Sequence, residues 1–328
     1  MRAVILNRYA EPADALSVGE MDVPALRHGQ VLVKIAAAPI HPADLAFIRG
    51  FYGLSKPIPT VPGLEGAGTV VDANAGPYGR WLVGKRVACS APEDGPGTWA
   101  EFMACSAAAC IPLRRQVSTE VGATLLINPF TALSLMRLAR MGRHRAFVQT
   151  AAASALGQML ARLAEARGVA AIHVVRRTEQ VLQLRADGRV HVLNSGEATF
   201  EQELHELCHR LGATIAFDAV GGALSAILAR AMPERSRVIV FGGLSGEEPR
   251  LGIADAIFHG KSMAGFWLPL TLKRTSRLAL LRMAYLVQRN SGGAFDTRVL
   301  DRLPLQRVID GLALLQAHAT EGKVLLTP

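Results

Sequence analysis

Alternating strand-like and helix-like segments between residues 146 and 267 constrain the fold of this chain more than any other feature. The strand-like segments are short and apolar, and the helix-like segments lie between them. Two of these helices are predicted to end before Gly168 and Gly212, where a helix C-terminus favours a left-handed residue. The alternation predicts βαβ units and a parallel sheet covered on both faces. The predicted strands span residues 146–149, 170–175, 190–193, 214–218, 237–241 and 262–267.

The first third of the chain differs, because its short β-type runs are separated by Gly, Pro and Asp. Short strands separated by such turn-forming residues are typical of an irregular β-rich domain. The tail is predicted to form a strand, a helix and a strand at 298–303, 305–318 and 323–326. Since this tail is too small to fold alone, we expect it to complete the N-terminal domain. The length of 328 residues fits two domains.

Composition limits the partners and the compartment. There are 36 Lys and Arg against 27 Asp and Glu, a formal net charge of +9 that permits nucleic acid, a membrane surface or an anionic small molecule. The arginines are scattered and the composite motifs of nucleic-acid readers are missing, so we expect a small-molecule partner. No apolar run is long enough for a membrane span or a signal peptide. The four cysteines form no C-x-x-C pair, which favours reduced thiols in a cytoplasmic protein.

A turn rich in small residues follows the first predicted strand of the alternating region. In a doubly wound sheet this turn must let a pyrophosphate approach the backbone and the following helix N-terminus. The G-x-G-x-x-G fingerprint is absent, and only Gly157 of its glycines remains. A generic alanine-rich helix start explains the segment equally well. The candidate pyrophosphate residues are Ala153, Ser154, Ala155, Leu156 and Gly157.

The next predicted strand ends in Arg176 and Arg177. An NAD-preferring site normally has an acidic residue here, which holds the ribose 2′-hydroxyl. A guanidinium instead offers a fork of donors suited to a 2′-phosphate, so the arginines favour NADPH. The alternative is a pair of solvated arginines at a strand end. Glycines after the strands at 214–218 and 237–241 lie where ligands of open α/β sheets bind, although tight turns alone also explain them.

Taken together, these motifs resemble the zinc-free branch of the medium-chain dehydrogenase/reductase superfamily, most closely its mitochondrial-type 2-enoyl thioester reductases and then its quinone reductases. The resemblance implies an α/β protein with a GroES-like substrate domain at 1–117 and 291–328 and a Rossmann NADPH-binding domain at 118–290. It also implies an active site in the cleft between them and a homodimer. The matching segments are 38–44, 48–53, 61–66, 128–132, 174–176 and 265–268.

The resemblance also assigns roles to individual residues. Tyr52 falls on the family's proposed catalytic tyrosine, and Lys323 on a C-terminal cofactor lysine. Asn128 falls on a cofactor-contacting asparagine, and Thr131 lies in the same matching segment. The segment 153–156 falls on the pyrophosphate turn. The adenosine-phosphate contacts are Arg176, Arg177 and Thr178. The residues expected beside the nicotinamide are Phe241, Gly242, Gly243, Leu244, Phe266, Trp267 and Leu268.

The sequence departs from the family pattern at two positions. His41 stands where asparagine is common, and Ala155 replaces a usual glycine, which suggests some loss of cofactor affinity. Zinc is not expected, because the cysteine-based sites of the zinc-dependent branch are missing and His41 beside Asp44 is not a three-ligand site. His41 is either a locally hydrogen-bonded loop histidine or a residue near the substrate.

The hypothesis is therefore NADPH-dependent reduction of an activated C=C bond. Hydride would reach the β-carbon of an α,β-unsaturated carbonyl compound, and a proton would reach the α-carbon. Tyr52 could stabilise the enolate or supply the proton, since a phenol is ordinarily protonated at neutral pH, or it could only shape the pocket. The alternatives are an NADPH:quinone reductase and a non-enzymatic NADPH-binding protein.

Overall fold

A computed structural model describes residues 1–318 and 320–328. The chain forms two compact units: Met1–Pro129 with Arg282–Pro328 is unit 1, and Phe130–Leu281 is unit 2. Both boundaries fall inside helices. The sequence placed the functional domain boundaries at 117/118 and 290/291, and the assignment of functions to these domains stays a prediction.

Fifteen strands are present among the described residues. In chain order they are β1 (Arg2–Leu6), β2 (Leu16–Glu20), β3 (Gln30–Pro39), β4 (Glu65–Asn74), β5 (Arg86–Ser90), β6 (Phe102–Ser106), β7 (Cys110–Pro112), β8 (Ala146–Gln149), β9 (Ala170–Val175), β10 (Val192–Asn194), β11 (Ala213–Asp218), β12 (Arg237–Val240), β13 (Ser262–Gly265), β14 (Val299–Pro304) and β15 (Lys323–Thr327).

Thirteen α-helices are present in the same part of the chain. They are α1 (Pro12–Ala15), α2 (Pro42–Ile48), α3 (Gly76–Leu82), α4 (Thr119–Ala123), α5 (Ile127–Met141), α6 (Ala155–Glu165), α7 (Thr178–Ala186), α8 (Phe200–Leu211), α9 (Gly222–Ala231), α10 (Ile253–Ile257), α11 (Leu268–Lys273), α12 (Arg277–Arg289) and α13 (Val308–His318). None of these helices is long and apolar enough to cross a membrane.

Unit 1 is built on a mostly antiparallel sheet of seven strands in the order β14-β15-β3-β4-β5-β7, with β6 also paired to β3. The C-terminal strand β15 pairs with β3 through Leu325 and Leu326, so the tail completes the sheet of the N-terminal region. Alternate residues of β3 are buried, as expected for a strand with one face on a core. Trp99 and Phe47 are the largest fully buried side chains of this core.

Unit 2 contains a six-stranded parallel sheet in the order β10-β9-β8-β11-β12-β13. Numbered within the unit, this is the order 3-2-1-4-5-6 of a Rossmann sheet, and the strand order reverses between β8 and β11. The predicted α/β class with a Rossmann sheet is confirmed.

Several predicted element bounds needed correction. The strand expected to reach Trp267 ends at Gly265, because Trp267 instead precedes the first turn of α11. Helix α5 begins at Ile127, and Pro129 lies in its first turn. Proline is tolerated there because the first N–H groups of a helix have no intrahelical acceptor.

Candidate functional site

The turn between β8 and α6 brings a helix N-terminus against the carboxyl edge of the parallel sheet. Ala151 adopts the left-handed conformation, with φ +48°. Ser154 caps α6, because its hydroxyl accepts the N–H of Gly157 at 3.1 Å. A Cβ at Gly157 would lie 2.5 Å from the carbonyl oxygen of Ala152, so only glycine fits. The backbone is thus packed closely, as a pyrophosphate site requires.

Ala155 does not need the glycine that the family pattern has at this position. It is the first residue of α6, and its backbone is not left-handed. The strained position of this turn is Ala151, four residues earlier. Leu156 is half-buried in the first turn, and Ala153 is buried.

Asp218, at the end of β11, ties the two central strands together at the point where the strand order reverses. Its carboxylate accepts hydrogen bonds from the Thr150 hydroxyl at 2.8 Å and the Ser225 hydroxyl at 2.6 Å. It also accepts the N–H groups of Val220 at 2.9 Å and Gly221 at 3.2 Å. Sequence reasoning did not single out this fully buried carboxylate, although an acidic residue ending an apolar strand was a usable signal.

Arg176 and Arg177 are exposed after β9, and Thr178 begins α7. The side chain of Gln180 accepts the backbone N–H groups of both arginines, at 3.4 and 3.3 Å. Neither guanidinium forms an ion pair with any residue described in 1–318 or 320–328. Their donors are therefore available to an anion.

The residues expected beside the nicotinamide follow β12 and β13. Phe241 donates its N–H to Asp218 at 2.8 Å, and Leu244 donates to Ala219 at 3.1 Å. Gly242 lies so close to Ala219 that a Cβ would come within 2.7 Å of its carbonyl oxygen, whereas Gly243 has open space. Phe266 donates its N–H to Val240 at 2.8 Å, Trp267 precedes α11, and Leu268 is the first residue of that helix. Turns after four neighbouring strands thus share one sheet edge with the β9 arginines.

The other predicted site residues belong to unit 1 or to the helix that leaves it. Tyr52 lies in the loop after α2, half-buried against the core of unit 1. Asn128 and Thr131 lie in the first turns of α5, where Asn128 is half-buried and Thr131 is buried. Lys323 opens β15 and is only 4% exposed.

Lys323 belongs to a buried polar chain that sequence reasoning missed. Its ammonium contacts Nδ1 of His41 at 2.5 Å, and Nε2 of His41 contacts Oε1 of Glu65 at 2.6 Å. Oε2 of Glu65 accepts the N–H groups of Leu126 and Ile127, at 2.9 and 3.0 Å. His41 is 2% exposed and Glu65 is fully buried. The ring of His41 is therefore not bonded locally, because its partners Glu65 and Lys323 lie 24 and 282 residues away in the chain.

Burial shifts the protonation equilibria around this chain. It lowers the pKa of Lys323 to about 8. Burial, and then the charge of Lys323, lower the pKa of His41. Asp44, whose carboxylate accepts the backbone N–H of His41 at 2.7 Å, has its pKa raised by burial to about 7. Each shift arises because burial disfavours the charged form.

Within the residues described, no group of three or more His, Cys, Asp and Glu side chains could hold a metal ion. Metal independence stays a prediction. The four cysteines are free thiols and all are buried.

Two family models match the chain: the alcohol dehydrogenase GroES-like domain over residues 27–115, and zinc-binding dehydrogenase over 155–283. The structure of a Mesorhizobium loti protein, provisionally described as an NADPH:quinone reductase, is 34% identical, with a TM-score of 0.91 over 100% of this chain and 98% of that one. Human mitochondrial enoyl-[acyl-carrier-protein] reductase is 27% identical over 343 residues, which cover 100% of this chain and 88% of the relative.

The mitochondrial 2-enoyl thioester reductase heterodimer of Candida tropicalis superposes with a TM-score of 0.81, covering 100% of this chain and 99% of that one, at 24% identity. This likeness concerns the fold. The Rossmann strand order, the two family models and the 34% identical relative define the class together. The chain belongs to the medium-chain dehydrogenase/reductase family, whose members are NADP(H)-binding oxidoreductases.

Proposed function

We propose that the protein reduces an activated carbon–carbon double bond, in a 2-enoyl thioester or a related α,β-unsaturated carbonyl compound, with NADPH as reductant. The observation that carries the cofactor assignment is the exposed pair Arg176 and Arg177 after β9, where an NAD site would have an acid. Neither guanidinium forms an ion pair within the described part of the chain. The substrate class is supported by curated relatives, such as the human enoyl reductase at 27% identity.

The carboxyl edge of the parallel sheet fits a phosphorylated dinucleotide. Close packing at Gly157 brings the backbone of the turn and the N-terminus of an 11-residue helix together, which suits a pyrophosphate. The exposed guanidinium groups of the two arginines suit a 2′-phosphate. When bound, NADPH supplies a hydride. The residues proposed to hold it are Asn128, Thr131, Ala153, Ser154, Ala155, Leu156, Gly157, Arg176, Arg177, Thr178, Phe241, Gly242, Gly243, Leu244, Phe266, Trp267, Leu268 and Lys323.

Reduction of an α,β-unsaturated carbonyl compound places negative charge on the carbonyl oxygen, and an enolate without a metal needs hydrogen-bond donors. We assign this role to the hydroxyl of Tyr52, which is also the proposed source of the α-carbon proton. Tyr52 is only half-buried, so its ring is not wholly enclosed by the core of unit 1.

A quinone reductase is the second candidate, and the 34% identical Mesorhizobium loti relative favours it. A quinone is flat and needs less proton-donor geometry than an enoyl thioester. Turnover with NADPH should therefore be compared on crotonyl-CoA, a longer enoyl-CoA and a benzoquinone. Preference for the enoyl substrates supports the proposal, and quinone turnover without thioester turnover refutes it.

Substitution of Tyr52 tests the mechanism. We expect Tyr52→Phe to lower kcat about a hundredfold on an enoyl thioester, because general acid and oxyanion contacts are worth that much. The NADPH Kd should be unchanged. Tyr78→Phe is the matched control, since Tyr78 is an exposed tyrosine of the same unit. Unchanged turnover in Tyr52→Phe would leave the tyrosine as a wall of the pocket.

We also propose that the protein is a cytoplasmic homodimer. The outer edge of β13 pairs with no strand of the described chain. The segment before β13 in the sequence carries exposed apolar side chains, at Ile253 and Ile257 of α10 and at Phe258, which follows this helix. A symmetric interface between two copies would cover such an edge. Light scattering should give twice the mass of 35.0 kDa, and a monomer at micromolar concentration would contradict this.

A further inference from the structure

The polar chain Lys323–His41–Glu65 joins three distant parts of unit 1. His41 precedes α2, Glu65 opens β4 and Lys323 opens β15. All three side chains are nearly or fully buried. Buried charges are tolerated when each is paired and hydrogen-bonded. Here the pairing runs through a histidine ring.

The hydrogen-bond chemistry determines the tautomer of that ring. An ammonium group has three donors and no acceptor, so Nδ1 of His41 must accept from charged Lys323. A neutral ring then carries its hydrogen on Nε2, which donates to Glu65. A doubly protonated ring would turn a donor toward the ammonium. The lowered pKa of His41 agrees with the neutral form.

Glu65 extends the chain to the beginning of a helix. The first N–H groups of a helix lack intrahelical acceptors, and a negative charge there is favourable. Glu65 accepts the N–H of Ile127, the first residue of α5, and that of Leu126 before it. The carboxylate therefore caps α5 from another strand. Asn128, which we propose contacts the cofactor, is the next residue.

We propose that His41 is a positioning residue, which in its neutral Nε2–H form links Lys323 to Glu65 and thereby holds the first turn of α5, with Asn128, where NADPH binding requires it. Only the link to NADPH rests on the proposed function. The charged and titratable groups that face His41 are Lys323, Glu65 and Asp44.

The geometry suggests a pair of variants at this position. The amide oxygen and nitrogen of asparagine occupy the δ position, like Nδ1 of histidine, and do not reach the position of Nε2. His41→Asn should therefore lose the hydrogen bond to Glu65. A glutamine amide reaches the position of Nε2 and keeps a donor for Glu65 and an acceptor for Lys323. His41→Gln is therefore the conservative rescue. His28→Asn, at an exposed histidine of the same unit, is the matched control.

The first measurement uses the protein without NADPH. In ¹⁵N-histidine-labelled protein we expect one ring of fixed tautomer, with Nδ1 unprotonated and Nε2 protonated from about pH 6 to about pH 8. Hydrogen exchange of the Leu126 and Ile127 amides should be about tenfold faster in His41→Asn and unchanged in His28→Asn. A ring that titrates like free histidine, or exchange rates equal to those of the parent, would overturn the positioning role.

The second measurement is NADPH binding and turnover. We expect His41→Asn to raise the NADPH Kd and KM about tenfold, with kcat within about twofold, and His41→Gln to restore both. A loss of kcat with unchanged Kd, or equal damage by His41→Gln, would refute the inference. If the parent protein does not bind NADPH, the proposed function and the cofactor link both fail. The exchange rates then still decide whether His41 holds α5.

Discussion

The carboxyl edge of the parallel sheet in unit 2 and the His41 chain in unit 1 handle charge in opposite ways. At the sheet edge, the guanidinium groups of Arg176 and Arg177 are exposed and have no ionic partner in the described chain. In unit 1, the charged groups of Lys323 and Glu65 are buried, and each forms a hydrogen bond with the ring of His41. Charge exposed to a ligand should act on affinity directly, whereas charge paired inside a unit should act on stability, and on affinity only through the residues that the pairing positions.

The largest expected effect belongs to the buried side of this comparison. Glu65→Gln removes the carboxylate that compensates Lys323 and caps α5, and should lower the free energy of unfolding by about 3–5 kcal/mol. Urea denaturation measures it. The matched control is Glu201→Gln, at an exposed ion pair with Arg230, which should change stability by less than about 1 kcal/mol. Equal losses of stability in the two variants would contradict the claim that the buried carboxylate contributes more to stability than the exposed one.

The next effect concerns pH. Asp44 has its pKa raised from 3.8 to about 7 in the folded protein, so the folded state holds its proton more tightly than the unfolded state. This group therefore disfavours folding increasingly as pH rises from about 4 to about 7. Asp44→Asn should be more stable than the parent at pH 8 by roughly 2–4 kcal/mol, and the gap should close near pH 4. A gap that is independent of pH would refute the raised pKa.

A smaller loss of stability is expected when a glycine at the sheet edge is replaced by alanine. Gly157→Ala would place a methyl group 2.5 Å from the carbonyl oxygen of Ala152, and Gly243→Ala would meet nothing within 4 Å. We expect the first to cost about 1–3 kcal/mol of stability and to weaken NADPH binding. Gly243→Ala should retain parental stability. Thermal unfolding and NADPH fluorescence titration measure both, and a tolerated Gly157→Ala would contradict the close packing.

The smallest free-energy change is expected at the exposed arginine. Arg176→Ala should raise the KM for NADPH about tenfold and leave the KM for NADH and the melting temperature unchanged. Steady-state kinetics with both cofactors measure this selectivity. An exposed arginine on a helix, Arg137→Ala, is the control. Equal effects on NADPH and NADH would show that Arg176 does not contact the 2′-phosphate.

The Rossmann unit was the more predictable region because its elements are locally encoded. The predicted bounds of β8 and β9 match the structure, and α8 ends before Gly212 as predicted. Gly168 and Gly212 are left-handed, at φ +64° and +67°. The short helices α7, α10 and α11 were missed, since five to nine residues carry little periodicity. The left-handed conformation of Ala151 in the phosphate turn was not predicted, and the effect of Ala155 on cofactor affinity stays a prediction.

The sequence by itself determined the alternation of strands and helices, the small residues of the phosphate turn and the arginines after β9, because side-chain periodicity and backbone sterics act over a few residues. Only the tertiary structure decided the environment of His41. Its partners lie 24 and 282 residues away in the chain, and the pairing appears only when β3, β4 and β15 form one sheet. Burial shifts the pKa values of Lys323 and His41, and burial is a property of the assembled core, which no local pattern contains.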